Sequence, residues 1–329
     1  MTRHPVAYAG FVHQLGLYGS DDAFAAMAVP FVTEGLAVGD PVLAVTTPAN
    51  LDLLGHALGD AARDIDYAET AYFGRRPIQR IAAFHAYWKR QAKAGHARAR
   101  ILAEPIWAGR SQSQVDAWTR MESSFNIAMA HTGIHMICPY DVRITDPHII
   151  ANAHRTHCER MFRGAAMPCR DYTEPRKFVR EYDTVLPPPP STARTLRTER
   201  DWRALRRFVG TVAEAHGLPG ERVNLLVLAA GQVVGFLAAL TPSSITIRIW
   251  TGLGDTMTCE LSAPVVADPL VGLLPLGVTE PGPGDAVWLA RQICESLEIR
   301  SDDSATTVRM SLPGRHAEEL NQSSAQYLC

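Results

Sequence analysis

The chain has 329 residues, of which 47% are hydrophobic and 20% are charged, so it is long and apolar enough for two globular domains and is not a disordered protein. Its formal net charge of −2 excludes a general electrostatic attraction to nucleic acid or to an anionic membrane. We therefore expect neither of these partners.

The N-terminal sequence lacks the basic segment and apolar run of a signal peptide, so we expect a cytoplasmic protein whose six cysteines are thiols. The longest apolar run, at 225–240, is shorter than the roughly 20 residues that a bilayer core requires. Gln232 also interrupts this run. The sequence predicts a buried helix there.

Residues 11 to about 172 alternate between short apolar runs and segments of helical periodicity, which is typical of a parallel α/β sheet. The acidic pair Asp21 and Asp22 suits a helix N-terminus, and Gly39 suits the end of that helix. We predict strands at 11–18, 41–47, 65–69, 99–106 and 135–140, and helices at 21–38, 49–58, 78–94, 113–131 and 147–162.

Ligands of such sheets bind beyond the carboxyl ends of the strands, where this chain gathers polar residues. A phosphate-binding loop after the first strand would need the pattern G-x-x-x-x-G-K-S/T. The chain has YGSDDAF at 18–24, which is acidic where a phosphate would lie. We expect no nucleoside triphosphate in this domain.

Four stretches of the first domain, HQLGLYGSDDAF, PFVTEGLAVGDPVLAVTTPANLDLL, EPIWAGRS and CPYD, resemble the MEDS sensory domain of bacterial regulators. The resemblance implies a RecA-like parallel sheet with helices on both faces, without a phosphate loop, and a pocket for a small ligand. The pocket residues that it implies are His13, Tyr18, Glu104, Trp107, Arg110, Cys138, Tyr140 and Asp141.

These residues also have structural interpretations. Glu104 and Arg110 could form an ion pair that braces a loop, Trp107 could belong to the core, and Cys138 could be a small buried apolar residue. The residue types alone leave both interpretations open.

A second group of side chains, His154, His157, Cys158 and Cys169, contains soft ligands at close spacing and could bind zinc or an iron cofactor. The chain has no paired C-x-x-C, and Cys158 points away from the two histidines on the predicted helix. We expect no metal here, and we keep a metal or haem sensor as an alternative.

The run of four prolines at 187–190 predicts a stiff linker between two domains. We place a ligand-sensing domain at 1–180, the linker at 181–195, a second domain at 196–313 and a flexible tail at 314–329.

The second domain begins with an amphipathic helix from Trp202, followed by the buried helix. Alternating side chains predict strands at 244–250, 257–262 and 306–312, and helical spacing predicts a helix at 285–297. These elements predict an α/β sandwich with helices on one face of a mixed sheet.

Three segments of this domain, DPLVG, VWLARQICESLEIRS and TTVRM, resemble the histidine-kinase-like (GHKL) ATP-binding domain of actinobacterial anti-sigma-factor serine kinases. In that family an E-x-x-x-N helix supplies the general base and a magnesium ligand, a D-x-G box binds adenine, and glycines approach the phosphates. The matching positions here are Gln232, Phe236, Ser262, Ala263, Gly284, Ala286 and Ala305.

These replacements remove the groups that Mg-ATP needs. Gln232 cannot accept a proton as a carboxylate does. Three lost contacts of about 1–3 kcal/mol each would weaken binding by roughly 10²–10⁶-fold. We predict a pseudo-kinase with no catalytic residue and no cofactor, and binding of Mg-ATP is the alternative.

Together the two resemblances predict a cytoplasmic regulator that couples small-ligand sensing to a protein partner, either a sigma factor or its antagonist. An active anti-sigma serine kinase is the enzymatic alternative. A homodimer is left open, because the apolar faces of the chain are also explained by two internal cores.

Overall fold

The computed structural model describes residues 10–162, 164–183, 185–252, 255–276 and 280–314. The chain divides into two compact units, Met1–Glu181 and Tyr182–Cys329, and each is described by itself. Apart from Gly314, the predicted tail lies outside the described residues.

The described part of the first unit contains one seven-stranded sheet with the order β3-β2-β4-β5-β1-β6-β7. Neighbouring strands are parallel except for the antiparallel pair β6 and β7. The strands are β1 Val12–Tyr18, β2 Val42–Thr46, β3 Asp66–Glu69, β4 Ala99–Ala103, β5 Ile134–Asp141, β6 Glu159–Phe162 and β7 Ala165–Pro168.

Helices cover both faces of this sheet, because right-handed crossovers place α1 and α2 on one face and α3 to α5 on the other. In agreement, α1 contacts α2, and α4 contacts both α3 and α5. The helices are α1 Asp21–Ala37, α2 Pro48–Leu58, α3 Pro77–Lys93, α4 Gln112–Ala128, α5 Pro147–Thr156 and α6 Pro175–Tyr182.

Short polar side chains fix where several of these helices begin. Ser20, Thr47, Ser111 and Asp146 each accept a hydrogen bond from a backbone N–H of the first turn. After α1, Gly39 has a φ of 78° and ends the helix as predicted. The polar ends of the strands are therefore held in fixed positions.

The last predicted helix of this unit, at 147–162, was wrong after residue 156. The helix ends at Thr156, because the backbone at His157 is extended, with φ −106° and ψ 129°. The chain then forms β6, which pairs with β1. This turn carries the imidazole of His157 back toward the sheet.

The described part of the second unit contains a five-stranded sheet with the order β11-β12-β10-β9-β8. The strands are β8 Arg194–Thr198, β9 Ile245–Thr251, β10 Met257–Ala263, β11 Ser296–Ser301 and β12 Thr306–Leu312, and the helices are α7 Trp202–Ala215, α8 Gly220–Leu240 and α9 Pro283–Ile293. All strand pairs are antiparallel, so the predicted mixed sheet was wrong. The helix predicted at 285–297 ends at Ile293, and β11 follows it.

Helix α8 is the central helix of the second unit. It has 21 residues, and an 18-residue window within it has a mean hydropathy of 2.1, so it is long and apolar enough to span a membrane by length and composition alone. Here α8 contacts α7, α9 and three strands of the sheet, and Leu226, Val233 and Leu237 are buried. The predicted α/β class is confirmed in both units.

Candidate functional site

The interior of the first unit is polar where β1, β2 and β4 end. Tyr18 is the last residue of β1, Thr46 is the last residue of β2, and Glu104 directly follows β4. All three side chains are buried. Because these strands are parallel, their carboxyl ends meet at one edge of the sheet, which is where doubly wound sheets bind ligands.

The carboxyl group of Glu104 is the centre of this network. Tyr18 donates a 2.5 Å hydrogen bond to Oε1, Asn50 donates a 2.9 Å bond to Oε2, and the hydroxyl of Thr46 also donates to Oε2. Burial, followed by the hydrogen bond to Glu104, raises the pKa of Tyr18 well above its ordinary value. The phenol therefore stays protonated and acts as a donor.

The backbone carbonyl of Glu104 is held by a buried cation, Arg80. Its guanidinium donates to this carbonyl at 3.0 Å, to the hydroxyl of Thr70 at 3.1 Å and to the carbonyl of Phe73 at 3.1 Å. Burial lowers the pKa of Arg80 to about 10, so the group stays charged at neutral pH. A Cβ at Gly74 would come within 2.5 Å of the Arg80 Cα, so glycine is needed for this close packing.

A second polar group lies beneath α4 and contains His13 of β1, Glu122 of α4, Cys138 of β5 and His157. The four ligand atoms lie within 4.8 Å of one another, and all four residues are buried. We call these residues the His–Glu–Cys cluster. Four separate elements of the fold contribute to it, so the spacing of the sequence does not show it.

The Nδ1 atoms of the two imidazoles bond outward from this cluster, whereas Nε2 of His13 faces the Cys138 thiol at 3.4 Å within it. Nδ1 of His13 bonds to Oδ1 of Asn126 at 3.3 Å, and Nδ1 of His157 bonds to the carbonyl of Ala153 at 2.9 Å. Burial lowers the pKa of His157 to about 4 and lowers that of His13 well below its ordinary value. Both rings are neutral, and because Nδ1 is the donor, each Nε2 faces the cluster with a lone pair.

Glu122 is the acidic member of the cluster. Burial raises the pKa of its carboxyl to about 7, and the charge of Arg80 offsets part of this effect. The carboxyl also interacts with the Cys138 thiol and the Tyr140 hydroxyl, whose own pKa values burial raises. Two imidazoles, a carboxylate and a thiol are a donor set that could hold a transition-metal ion.

The predicted pocket residues divide between these two networks. Tyr18 joins Glu104, whereas His13, Cys138 and Tyr140 meet around Glu122. Trp107 stacks against Tyr140 with ring centroids 6.1 Å apart.

Two predicted residues lie elsewhere. Arg110 does not brace Glu104, since its Nε donates to the carbonyl of Ile106 and its guanidinium stacks 3.8 Å from the centre of the Trp118 ring. Nη2 of Arg143 lies 2.7 Å from Oδ2 of Asp141, and the side-chain hydrogen bonds that Arg143 donates lower the pKa of the Asp141 carboxyl. Sequence reasoning missed Glu122 and Arg80.

Of the residues considered as soft metal ligands, His157 alone enters the cluster found among the described residues. His154 is one turn earlier on α5 and is half-buried. The Cys158 thiol donates to the carbonyl of His13 at 3.5 Å, and the backbone N–H of Cys169 donates to the carbonyl of Cys158.

A groove of about 370 Å³ lies beside α1, on the face of the sheet opposite to α4 and the His–Glu–Cys cluster. Its lining includes Gln14, Met27, Phe31, Arg100 and His135. Within the described ranges, the predicted pocket residues do not contribute to this lining. That the predicted residues line a ligand pocket stays a prediction.

In the second unit, several positions that match the nucleotide site of the kinase-like family are core residues. Phe236 and Ala263 are buried in the hydrophobic core, and Ala286 packs against it. The half-buried Gln232 is one turn from Phe236 on α8. Of the remaining positions, Ser262 pairs within the sheet, Gly284 lies in the first turn of α9, and the Ala305 N–H donates to Asp302.

Residues 12–158 match the family model of the MEDS domain, described as the methanogen/methylotroph, DcmR sensory domain. This match confirms the resemblance of the first domain. Among curated proteins, none matches the chain. The kinase-like resemblance of residues 196–313 stays a prediction.

Proposed function

We propose that this protein is a regulator whose first unit binds a small ligand and whose second unit binds a protein partner. The match to a sensory domain indicates a signal-sensing role for the first unit. The observation that carries the proposal is the buried network around Glu104 at the carboxyl ends of β1, β2 and β4. Buried polar groups at this edge of a doubly wound sheet are suited to fix the orientation of a small polar molecule.

The ligand-sensing step is tested by thermal unfolding of the full chain against a panel of small organic molecules. We expect a ligand that raises the midpoint temperature of the wild type, because binding to the native state stabilises it. Glu104→Gln should abolish this shift. The control is Glu69→Gln, at an exposed position at the end of β3. A ligand that stabilises both variants as much as the wild type would contradict the assignment of Glu104.

The second unit is proposed to act through binding rather than phosphate transfer. Phe236 occupies core volume where the kinase-like family has a magnesium ligand, and Gln232 replaces its general base. Calorimetric titration of the full chain with Mg-ATP should show no binding at millimolar nucleotide. Micromolar binding would instead support the kinase alternative.

An exposed apolar strip on α8 supports a protein partner. Leu225 and Leu228 are 41% and 50% exposed, and Trp202 of α7 is 49% exposed. Large apolar side chains in an exposed group are typical of protein interfaces. The partner class proposed from the resemblance is a sigma factor or its antagonist.

The partner is tested by affinity capture of the full chain from its own host. We expect the wild type to retain a sigma factor or an antagonist and the double variant Leu225→Arg, Leu228→Arg to lose it. Val185→Arg is the matched control, since Val185 is an exposed apolar residue of the same unit, outside its helices and strands. Retention of the partner by the double variant would exclude α8 as the interface.

A further inference from the structure

We propose that the first unit binds a divalent transition-metal ion of the Zn²⁺ type through the His–Glu–Cys cluster. The ligands are Nε2 of His13, a carboxylate oxygen of Glu122, Sγ of Cys138 and Nε2 of His157. This inference goes beyond the proposed function and does not depend on it.

Three of the six distances between the ligand atoms are close to those around a tetrahedral ion, and all six are within 4.8 Å. Zn–N and Zn–O bonds of about 2.0 Å and Zn–S bonds of about 2.3 Å place tetrahedral neighbours about 3.3–3.6 Å apart. Here Sγ of Cys138 lies 3.4 Å from Nε2 of His13, and Oε2 of Glu122 lies 3.6 Å and 3.8 Å from Nε2 of His157 and of His13. The cluster would need only small shifts to close around an ion.

Two buried acceptor atoms of the cluster face each other without a donor. Since the Nδ1 atoms of His13 and His157 donate outward, both Nε2 atoms carry lone pairs; that of His13 faces the Cys138 thiol at 3.4 Å, and that of His157 faces Oε2 of Glu122 at 3.6 Å. In the part of the chain that the structure describes, Oε2 of Glu122 and Nε2 of His157 have no hydrogen-bond partner. A buried acceptor without a donor costs about 1–3 kcal/mol.

When Glu122 is ionised, neither its Oε2 nor Nε2 of His157 has a donor, although the two atoms face each other at 3.6 Å. A divalent cation accepts all the lone pairs at once. The outward hydrogen bonds of both rings are also those that orient metal-binding histidines in general. Asn126 and the carbonyl of Ala153 would thus be positioning groups for the site.

The charges of the site also suit a divalent ion. Binding converts the Cys138 thiol into a thiolate and releases its proton to solvent. The thiolate and the Glu122 carboxylate then balance the two positive charges of the metal. The guanidinium of Arg80, which already attracts Glu122, remains as a nearby cation.

The donor types select the metal. Two imidazoles and one thiolate favour Zn²⁺ and similar borderline ions, whereas Mg²⁺ and Ca²⁺ require sets of oxygen ligands. Four protein ligands complete a tetrahedral shell, which is the arrangement of a structural or sensing site rather than of a hydrolytic one. The ion would join β1, α4, β5 and the segment after α5.

The first test is the metal content of the full chain, produced in minimal medium supplemented with Zn²⁺ or with Co²⁺ and passed over a weak chelating resin. Because the site is buried, loading during synthesis avoids slow entry. We expect one ion per chain. The Co²⁺ protein should show the visible bands of a tetrahedral ion and a near-ultraviolet thiolate-to-cobalt band.

Ligand variants identify the residues that hold the ion. Cys138→Ser should lose the thiolate-to-cobalt band, and His157→Gln should lower the metal content at least tenfold. Cys169→Ser and His154→Gln are matched controls, since these residues are close in sequence but outside the cluster. Asn126→Ala should weaken the affinity about 10–100-fold, as expected for a positioning residue.

A second measurement remains valid if these variants do not fold. Removal of the ion from the wild type with a strong chelator should lower the midpoint of thermal unfolding, and added Zn²⁺ should restore it. A metal-free chain that is unaffected by chelator or Zn²⁺ and shows no cobalt bands would overturn the proposal. Cobalt bands that persist in Cys138→Ser would overturn the ligand set.

Discussion

The hydroxyl group of Tyr18 donates a hydrogen bond of 2.5 Å to Oε1 of Glu104, and both side chains are buried. Tyr18→Phe removes this donor and leaves the carboxyl group with one partner fewer. We expect the free energy of unfolding to fall by about 1–3 kcal/mol. Urea denaturation of the full chain measures this change. Tyr72→Phe, at a side chain that is 68% exposed, should change it by less than about 0.5 kcal/mol.

Arg80 is 1% exposed and donates to three acceptors, so its removal should be more damaging. We expect Arg80→Met to destabilise the first unit by about 3–5 kcal/mol, because a buried partner of charged and polar groups is lost. Arg80→Lys should also be destabilising, since an ammonium group cannot reproduce the planar, forked arrangement of the guanidinium N–H donors. Arg63→Lys, at an 84% exposed side chain, is the control for both. If Arg80→Lys were as stable as the control, the three hydrogen bonds of the Arg80 guanidinium would not be needed for stability.

His135 makes the stability of the first unit depend on pH. Burial, followed by the charges of Arg100 and Arg98, lowers its pKa from 6.5 to about 4. Between these values the unfolded chain binds more protons than the folded chain, so stability falls as the pH falls from 6.5 towards 4. One such group contributes at most about 1.4 kcal/mol per pH unit.

The measurement is urea denaturation of the wild type and of His135→Gln between pH 4.5 and 7.5. We expect the free energy of unfolding to fall less steeply below pH 6.5 in the variant than in the wild type. The other buried histidines contribute equally to both proteins. Parallel pH profiles would show that His135 does not contribute.

Phe236 of α8 stands where the kinase-like family has a magnesium ligand, and a substitution there tests whether the position belongs to the core. Its side chain is 3% exposed, so Phe236→Asn should lower the free energy of unfolding of the second unit by about 3–5 kcal/mol. The half-buried Gln232 is one turn away, and Gln232→Glu should have an effect within about 0.5 kcal/mol. Circular dichroism during urea denaturation compares the two. A neutral Phe236→Asn variant would mean that the position tolerates a polar ligand.

Most elements of the fold could be predicted from the sequence because their apolar spacing agrees with their flanking residues. Helix α1 starts at Asp21 and β12 spans Thr306–Leu312, both as predicted. The segments 159–162 and 296–297 were wrongly joined to helices, because short strands also fit a helical period. Both segments form strands because they pair with β1 and with β12, respectively. The periodicity of a segment does not show which strand it will pair with.

The candidate site was predictable only in part. The resemblance to a sensory domain supplied His13, Cys138 and Tyr140, but a carboxylate in an amphipathic helix is usually solvent-exposed, so Glu122 was missed. One signal could have found it. Glu122 falls between Trp118 and Phe125 at spacings of four and three, on the apolar stripe of α4, where a charged side chain requires a buried partner.

Arg80 has a wider consequence, because one guanidinium serves both polar groups of the first unit. It holds the carbonyl of Glu104 and its charge acts on Glu122. Any ligand that displaces this guanidinium at one group changes the binding free energy at the other, and thermodynamic linkage makes the effect equal in both directions. A ligand of the Glu104 network that displaces this guanidinium should therefore change the metal affinity of the His–Glu–Cys cluster.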